Sequence, residues 1–278
     1  MYEEVSLINF RYGPRPTQDT PEAFLSDPTM STLAVSAPTS VGLYTRSFKN
    51  SKGSNQQLGY LTYYTLKRYD ALACSAKCDQ ISQCSGFNLY FERAPIVEPN
   101  DSSCSNPNST TLIKCAVYGY PVYGATATNV GQYRRHFRVV IAGSNGYSKF
   151  TLPPAPTGFT NATAYKGAIR SYKAADMKYI TYKSYTGPVD VRVCASACQS
   201  LTKNNRERPY SKNPTAYDAC NFFNIWVAVK ANIPVGWTCS MYVGPPNRTG
   251  MDDNYGQGTL QVVNSIGYTA SPIDVGIF

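Results

Sequence analysis

The residues of this chain whose types could do chemistry are nine cysteines and a single histidine, His136, and their spacing favours cross-linking over catalysis. A structural zinc site needs four clustered thiol or imidazole ligands, commonly paired as CxxC, and no such pair occurs. A Ser/His/Asp or Cys/His mechanism would have to run through His136, which stands in a basic segment, and no serine lies in a Gly-x-Ser-x-Gly context. Paired carboxylates of the glycosidase kind have candidates in Glu92, Glu98, Asp176, Asp252 and Asp253. Glu92, in Phe91-Glu92-Arg93, reads instead as a surface ion-pair partner and Asp252-Asp253 as a turn. Asp252-Asp253-Asn254 also lacks the alternating oxygen ligands of a calcium loop. The expectation is a protein with no catalytic residue, no metal and no cofactor.

Two features point to an oxidising compartment. Nine cysteines at organised spacings read as a disulfide framework. Four Asn-x-Ser/Thr sequons, at Asn100, Asn108, Asn161 and Asn247, are candidate N-glycosylation sites. The first residues, Met1-Tyr2-Glu3-Glu4-Val5, lack the basic and apolar regions of a secretory signal, so the expectation is a secreted, extracellular or cell-wall-associated chain whose signal has been removed. No run of about 18 apolar residues occurs, and no transmembrane helix is expected.

With 15% charged residues, 23 Tyr, 20 Gly and 19 Pro, the composition favours short strands and many turns. The net charge of +9 is scattered without a block of basic residues, so no nucleic-acid partner is expected. The densest group is Arg134, Arg135, His136 and Arg138. On a continuous strand Arg134, His136 and Arg138 share one face, opposite Arg135, Phe137 and Val139, and form a candidate contact for anions or polyanionic glycans. Tyr60, Tyr63, Tyr64, Tyr179, Tyr182 and Tyr185 alternate between core positions and rings that could stack on sugars. Trp226, in an apolar strand, reads as core, whereas Trp237, in Pro234-Val235-Gly236-Trp237, reads as a loop residue and a ligand contact.

The elements that must hold these residues come in two copies. Arg46-Ser47-Phe48-Lys49 matches Arg170-Ser171-Tyr172-Lys173, and Tyr60-Leu61-Thr62-Tyr63 matches Tyr179-Ile180-Thr181-Tyr182. Asp70 precedes Cys74 and Cys78 as Asp190 precedes Cys194 and Cys198. Further on, Cys84 and Asn88 match Cys220 and Asn224, and Cys115 and Tyr118 match Cys239 and Tyr242. Asn129-Val130-Gly131-Gln132 pairs with Asn254-Tyr255-Gly256-Gln257, and Ser144-Asn145-Gly146-Tyr147 with Ser265-Ile266-Gly267-Tyr268. The copies differ by surface-loop insertions, between Asn88 and Cys115 in the first and around Lys203 to Ala219 in the second.

In each copy the CxxxC stretch has helical character, with Asp70 and Asp190 as N-caps, and a spacing of four puts both sulfurs on one face. The runs Gly59–Tyr64, Phe87–Phe91, Phe137–Ile141 and Thr259–Val263 are β-prone. Each copy is therefore expected to pack one helix on an antiparallel sheet, in an α+β chain, with the later cysteines as partners of the helical pair. Cys104 has no counterpart and makes the count odd; free, cross-linking and alternative pairings are all open to it.

A helical CxxxC, a cysteine entering an aromatic strand and then Cys-x-x-Tyr resemble the PAN/Apple domain. Strings such as Gly86-Phe87-Asn88-Leu89-Tyr90-Phe91 and Val140–Tyr147 resemble a group of secreted fungal cysteine-rich proteins. The resemblance implies tandem PAN/Apple-like modules over residues 32–150 and 162–270; around them the proline-rich segments read as an extended arm over 1–31 and a linker over 151–161, with a tail over 271–278. It implies the pairs Cys74/Cys115, Cys78/Cys84, Cys194/Cys239 and Cys198/Cys220. For function it implies a non-catalytic protein that binds carbohydrate or protein at a cell wall or cell surface. A self-assembling structural or adhesive protein, or a secreted host-directed effector, is the alternative.

Overall fold

A computed structural model describes residues 12–160, 162–170, 177–209, 216–247 and 250–276. The chain divides into two compact units, Met1–Phe150 and Thr151–Phe278.

Unit 1 begins with two short helices, α1 (Pro21–Leu25) and α2 (Pro28–Ser36). Each starts where a side-chain oxygen meets free helix amides: Thr20 Oγ1 accepts from Ala23 N and Asp27 Oδ1 from Met30 N, with proline at the first helical position. Phe24 and Met30 are buried in the unit 1 core. The extended arm expected over 1–31 is thus corrected within its described part, because these two apolar side chains fold it onto the sheet.

The sheet of unit 1 comprises β1 (Ser40–Val41), β2 (Tyr44–Ser51), β3 (Tyr60–Leu66), β4 (Gly86–Pro95), β5 (Ser109–Tyr118) and β8 (Val140–Ser148), with a separate hairpin of β6 (Tyr133–Arg134) and β7 (Phe137–Arg138). The strand order is β1-β2-β8-β4-β5-β3, all pairs antiparallel. Helix α3 (Ala71–Asp79), capped by Asp70 Oδ1 on the amides of Leu72 and Ala73, packs on β4 and β5. Its two cysteines are joined to the sheet side of the unit by the disulfides Cys74–Cys115 and Cys78–Cys84.

Unit 2 holds β9 (Thr163–Tyr165), β10 (Tyr179–Tyr185), α4 (Val191–Glu207), β11 (Phe222–Lys230), β12 (Ile233–Tyr242), β13 (Gly256–Gln257) and β14 (Leu260–Thr269). The order is β10-β12-β11-β14-β13, with β9 also pairing β14. Matching β3, β5, β4, β8 and β2 to β10, β12, β11, β14 and β9 gives the same sequence of neighbours in both sheets. The disulfides Cys194–Cys239 and Cys198–Cys220 occupy the matching places. The expected surface loop after Cys198 begins instead as helix, through Lys203 to Glu207. No Gly or Pro interrupts α4 until Pro209, and Lys203 lies one turn before Glu207. The segment expected as a Pro-rich linker packs on unit 2: Phe159 is buried against Phe223, and Tyr268 OH donates to Pro153 O. The tail is held too, with Asn221 Nδ2 donating to Asp274 O and Arg206 paired to the Asp274 carboxylate.

One buried polar node recurs in both units. Asn88 Nδ2 donates to Ser144 Oγ (2.8 Å) and Asn145 O (2.9 Å), while its Oδ1 accepts from Asn55 N (2.9 Å). Asn224 Nδ2 donates to Ser265 Oγ (2.9 Å) and Ile266 O (3.1 Å), while its Oδ1 accepts from Ile169 N (3.1 Å). The carbonyls of Asn55 and Ile169 then accept from the hydroxyls of Tyr118 and Tyr242, each over 2.7 Å. An amide satisfied on both ends can be buried at little cost, and here it ties an incoming segment to three strands.

Candidate binding cleft

The disulfides decide which face of each sheet the helix covers and which is free of it; on the helix-free face of unit 2, Thr238, Ser240 and Tyr242 are themselves buried. In unit 2 Cys239 is bonded to α4, so its neighbours Thr238 and Ser240 point to the opposite face of β12, with Tyr242 in step. On β11, Ile225 lies opposite Cys239 and Trp226 opposite Thr238, which puts Trp226 on the same free face. On β10 strict alternation would send Tyr179 and Tyr182 to different faces. A register shift between Tyr179 and Thr181 leaves Tyr179 opposite Tyr242 and Tyr182 opposite Ser240, so both rings end on the free face.

These side chains border an open cleft of about 520 Å³ that Ile169, Arg170 and Asn254 also line. That size falls within the range of about 300–1,000 Å³ usual for small-ligand sites. Trp226 Nε1 donates to Ser240 Oγ at 3.3 Å, and the hydroxyls of Ser184 and Thr238 share a hydrogen bond of 3.1 Å. Tyr242 stands edge-on to Tyr179, ring centroids 5.6 Å apart. Burial pushes the Tyr242 phenol above its ordinary range. Burial does the same to Tyr179, with a further push from the neighbouring Tyr182, so both are neutral hydroxyls at physiological pH. Arg170, the cation bordering the cleft, is held through Nε at 2.7 Å from Asp253 Oδ1. No carboxylate is among the described residues lining the cleft.

The same face of unit 1 is built from other residues. Tyr90 stands where Trp226 does, Lys114 for Thr238, Ala116 for Ser240 and Glu92 for Ala228. Lys114 Nζ pairs with Glu92 Oε1 at 2.7 Å and sits 4.5 Å from the centre of the Tyr63 ring. Beside them Tyr90, Ala116, Tyr118, Val122 and Ile141 pack together with Phe48.

The two tryptophans sit differently from the sequence reading: Trp226 lines the cleft and Trp237 is buried. Trp237 is 2% exposed, stacks on Tyr185 at 4.4 Å and donates through Nε1 to Gly187 O; it is core, not a ligand contact. The reason is a bulge: β12 pairs Gly236 with Ala228 and Pro234 with Val229, so the strand continues through the presumed loop. Gly236, at φ +149°, permits it, since a Cβ there would lie 2.6 Å from Tyr185 O.

The basic segment is likewise no single-faced strand. It turns back at Arg135, which has φ +54°, so Arg134 faces Phe137 across the hairpin and Arg138 faces Tyr133. His136 is exposed at this turn. Arg134, Arg135 and Arg138 form exposed ion pairs with Glu98, Asp101 and Glu22. Glu92 pairs with Lys114 and not with Arg93, which reaches Asp19 instead. The pair is less exposed than a surface bridge, each side chain being 14% accessible. Asp252 Oδ2 accepts from Lys166 N, and Asp176 lies outside the described residues.

Of the sequon asparagines, Asn108 and Asn247 are exposed, Asn100 is half-buried with Oδ1 accepting from Ser102, Ser103 and Cys104, and Asn161 lies outside the described residues. Cys104 is a half-buried free thiol in that same turn. No helix among the described residues is long and apolar enough to cross a membrane, and the four disulfides are compatible with an extracellular setting.

Comparison with models of protein families, with curated proteins and with solved structures returns no match to this chain.

Proposed function

We propose that this chain is a secreted, non-catalytic binding protein of two PAN/Apple-like modules, and that it binds carbohydrate at a cell wall or cell surface through the cleft of unit 2. The observation that carries the reading is the composition of that cleft, aromatic rings beside paired hydroxyls with no carboxylate among its described lining residues. An aromatic ring offers a flat apolar surface to the C–H face of a sugar, and a hydroxyl can both give and accept a hydrogen bond, as a sugar hydroxyl does. Glycoside hydrolysis needs two facing carboxyl groups, and the cleft supplies none among its described residues. The shared strand order and matching disulfides support the tandem-module reading.

A glycan array and polysaccharide pull-down with the glycosylated protein test the proposal. Retention on chitin, glucan or mannan that weakens with Trp226→Ala is the expected result. Silence across all neutral and sulfated glycans would remove the carbohydrate reading. The alternative, self-assembly, rests on the unpaired Cys104 thiol. A reductant-sensitive dimer on non-reducing electrophoresis, lost in Cys104→Ser, would favour it.

A further inference from the structure

We infer that the cleft of unit 2 takes an uncharged pyranoside, one site per chain, and that the positive charge of the protein has no part in recognition. The inference rests on the carbohydrate reading above and narrows it to a class of sugar. Electrostatics come first. A buried carboxylate or sulfate needs charge-assisted donors to replace its water, and a cation already paired offers a poor replacement. Arg170 Nε lies 2.7 Å from Asp253 Oδ1, an ion pair that leaves this edge of the cleft with no net charge, and the other described lining side chains are uncharged. An anionic sugar would therefore lose hydration without meeting a net positive charge in the cleft, although the chain as a whole carries +9.

The hydroxyl geometry fits one ring. Thr238 and Ser240 are two residues apart on one face of β12, which separates them by about 7 Å, the scale of a pyranose with its substituents. Ser184 extends the Thr238 end, and Trp226 fixes the Ser240 end through its own N–H. Tyr182, 60% exposed on the edge strand β10, stands opposite Ser240 as an accessible stacking surface. The ring would then be bounded by aromatic carbon with its hydroxyls directed to the hydroxyl row, an arrangement that selects shape and hydroxyl pattern rather than charge.

Unit 1 shows why the count is one. At the same places on its sheet, Lys114 and Ala116 replace Thr238 and Ser240, so of the three hydroxyls in the row only that of Ser184 has a counterpart, in Thr65. Lys114 is drawn to Glu92 and to Tyr63. The copies have kept the scaffold and the tyrosines of this face and diverged at Trp226, Thr238 and Ser240.

Titration calorimetry on the full chain, with neutral gluco-, manno- and chito-oligosaccharides and with sulfated and uronic oligosaccharides as probes, tests this. The expected result is binding of a neutral probe at one site per chain. Its affinity changes less than twofold between about 0.05 and 0.5 M salt, conditions that shorten the screening length about threefold. It falls at least tenfold in Tyr182→Ala and in Thr238→Lys, and Trp226→Ala abolishes it. Tyr182 is exposed, so its variant tests the site even where loss of Trp226 disturbs the sheet. A probe bound only when sulfated or uronic, with Tyr182 dependence, would overturn the neutral-sugar inference while leaving carbohydrate binding intact. Two equivalent sites would overturn the assignment to unit 2 alone. Failure of every probe would remove the carbohydrate reading itself.

Discussion

Trp226 and Ser240, on neighbouring strands, are joined by a hydrogen bond from the indole nitrogen to the hydroxyl at 3.3 Å. The bond fixes a half-buried ring at the edge of a cleft, whereas the other tryptophan of the chain is buried and stacked on Tyr185. The two should therefore answer mutation oppositely. Trp237→Ala is expected to cost about 3–5 kcal/mol of stability, the usual range for emptying a large core site. Trp226→Ala should cost less than about 2 kcal/mol and remove ligand binding. Tryptophan emission gives a second measurement: Trp226→Phe should leave a blue-shifted, poorly quenched spectrum, and Trp237→Phe a spectrum that acrylamide quenches and ligand perturbs. A readily quenched Trp237 would contradict the assignment.

Asn88 and Asn224 make the same buried bonds in the two units, and each should be costly to remove. Substitution by Ala orphans a strand hydroxyl, a carbonyl and an incoming amide together. Buried groups left unpaired cost about 1–3 kcal/mol each, so a loss of about 2–4 kcal/mol is expected after partial relaxation. Amide exchange localises the effect. Asn55 N–H should lose protection in Asn88→Ala, and Ile169 N–H in Asn224→Ala. Unchanged exchange at these amides would show that the node does not hold the segments.

These nodes explain what sequence could reveal. Asn88/Asn224, Ser144/Ser265, Tyr118/Tyr242 and the disulfide cysteines match between copies because each does the same bonding work in its unit. Gly131 and Gly256 match for a conformational reason: both have φ above +100°, and a Cβ at either would strike the carbonyl of Val139 or Leu260. The cleft was legible only in part: Tyr179, Tyr182 and Tyr242 match Tyr60, Tyr63 and Tyr118 of the first copy, but Trp226, Thr238 and Ser240 lie where the copies differ. Its tyrosines also depend on a register shift that simple alternation does not encode. Trp237 was misread because a glycine inside a strand looks like a loop until the bulge it serves is seen.

The four disulfides close loops of different length, and stability should follow that order. Cys74–Cys115 spans 41 residues and Cys78–Cys84 spans 6. Loop-closure entropy assigns about 4 kcal/mol to the first and about 2 kcal/mol to the second. Denaturant melts of the paired Cys→Ala variants should rank them so. In unit 2 the gap should be smaller, because the separations are 45 and 22. Equal losses for the two unit 1 variants would show that strain or packing, rather than chain entropy, sets their worth.

Acid should loosen the chain at three specific carboxylates. Burial alone would raise Asp19, Asp79 and Asp274, but hydrogen bonds outweigh it. Ser109 and Arg93 act on Asp19, Lys149 and Tyr44 on Asp79, and Gly276 N, Tyr217 and Arg206 on Asp274, and all three are held below the ordinary value of 3.8. A carboxylate whose folded pKa is depressed stabilises the fold fully above its unfolded pKa, and the contribution disappears as pH falls through the folded value. The melting temperature should therefore be insensitive to these groups above about pH 5 and fall with a steepening slope below about pH 4. Asp79→Asn keeps a hydrogen-bond acceptor for Tyr44 OH but cannot titrate, and its ion pair with Lys149 is gone. That variant should melt lower than wild type at neutral pH and converge with it in acid. Parallel melting curves across the whole range would show that Asp79 titrates alike in the folded and unfolded chain.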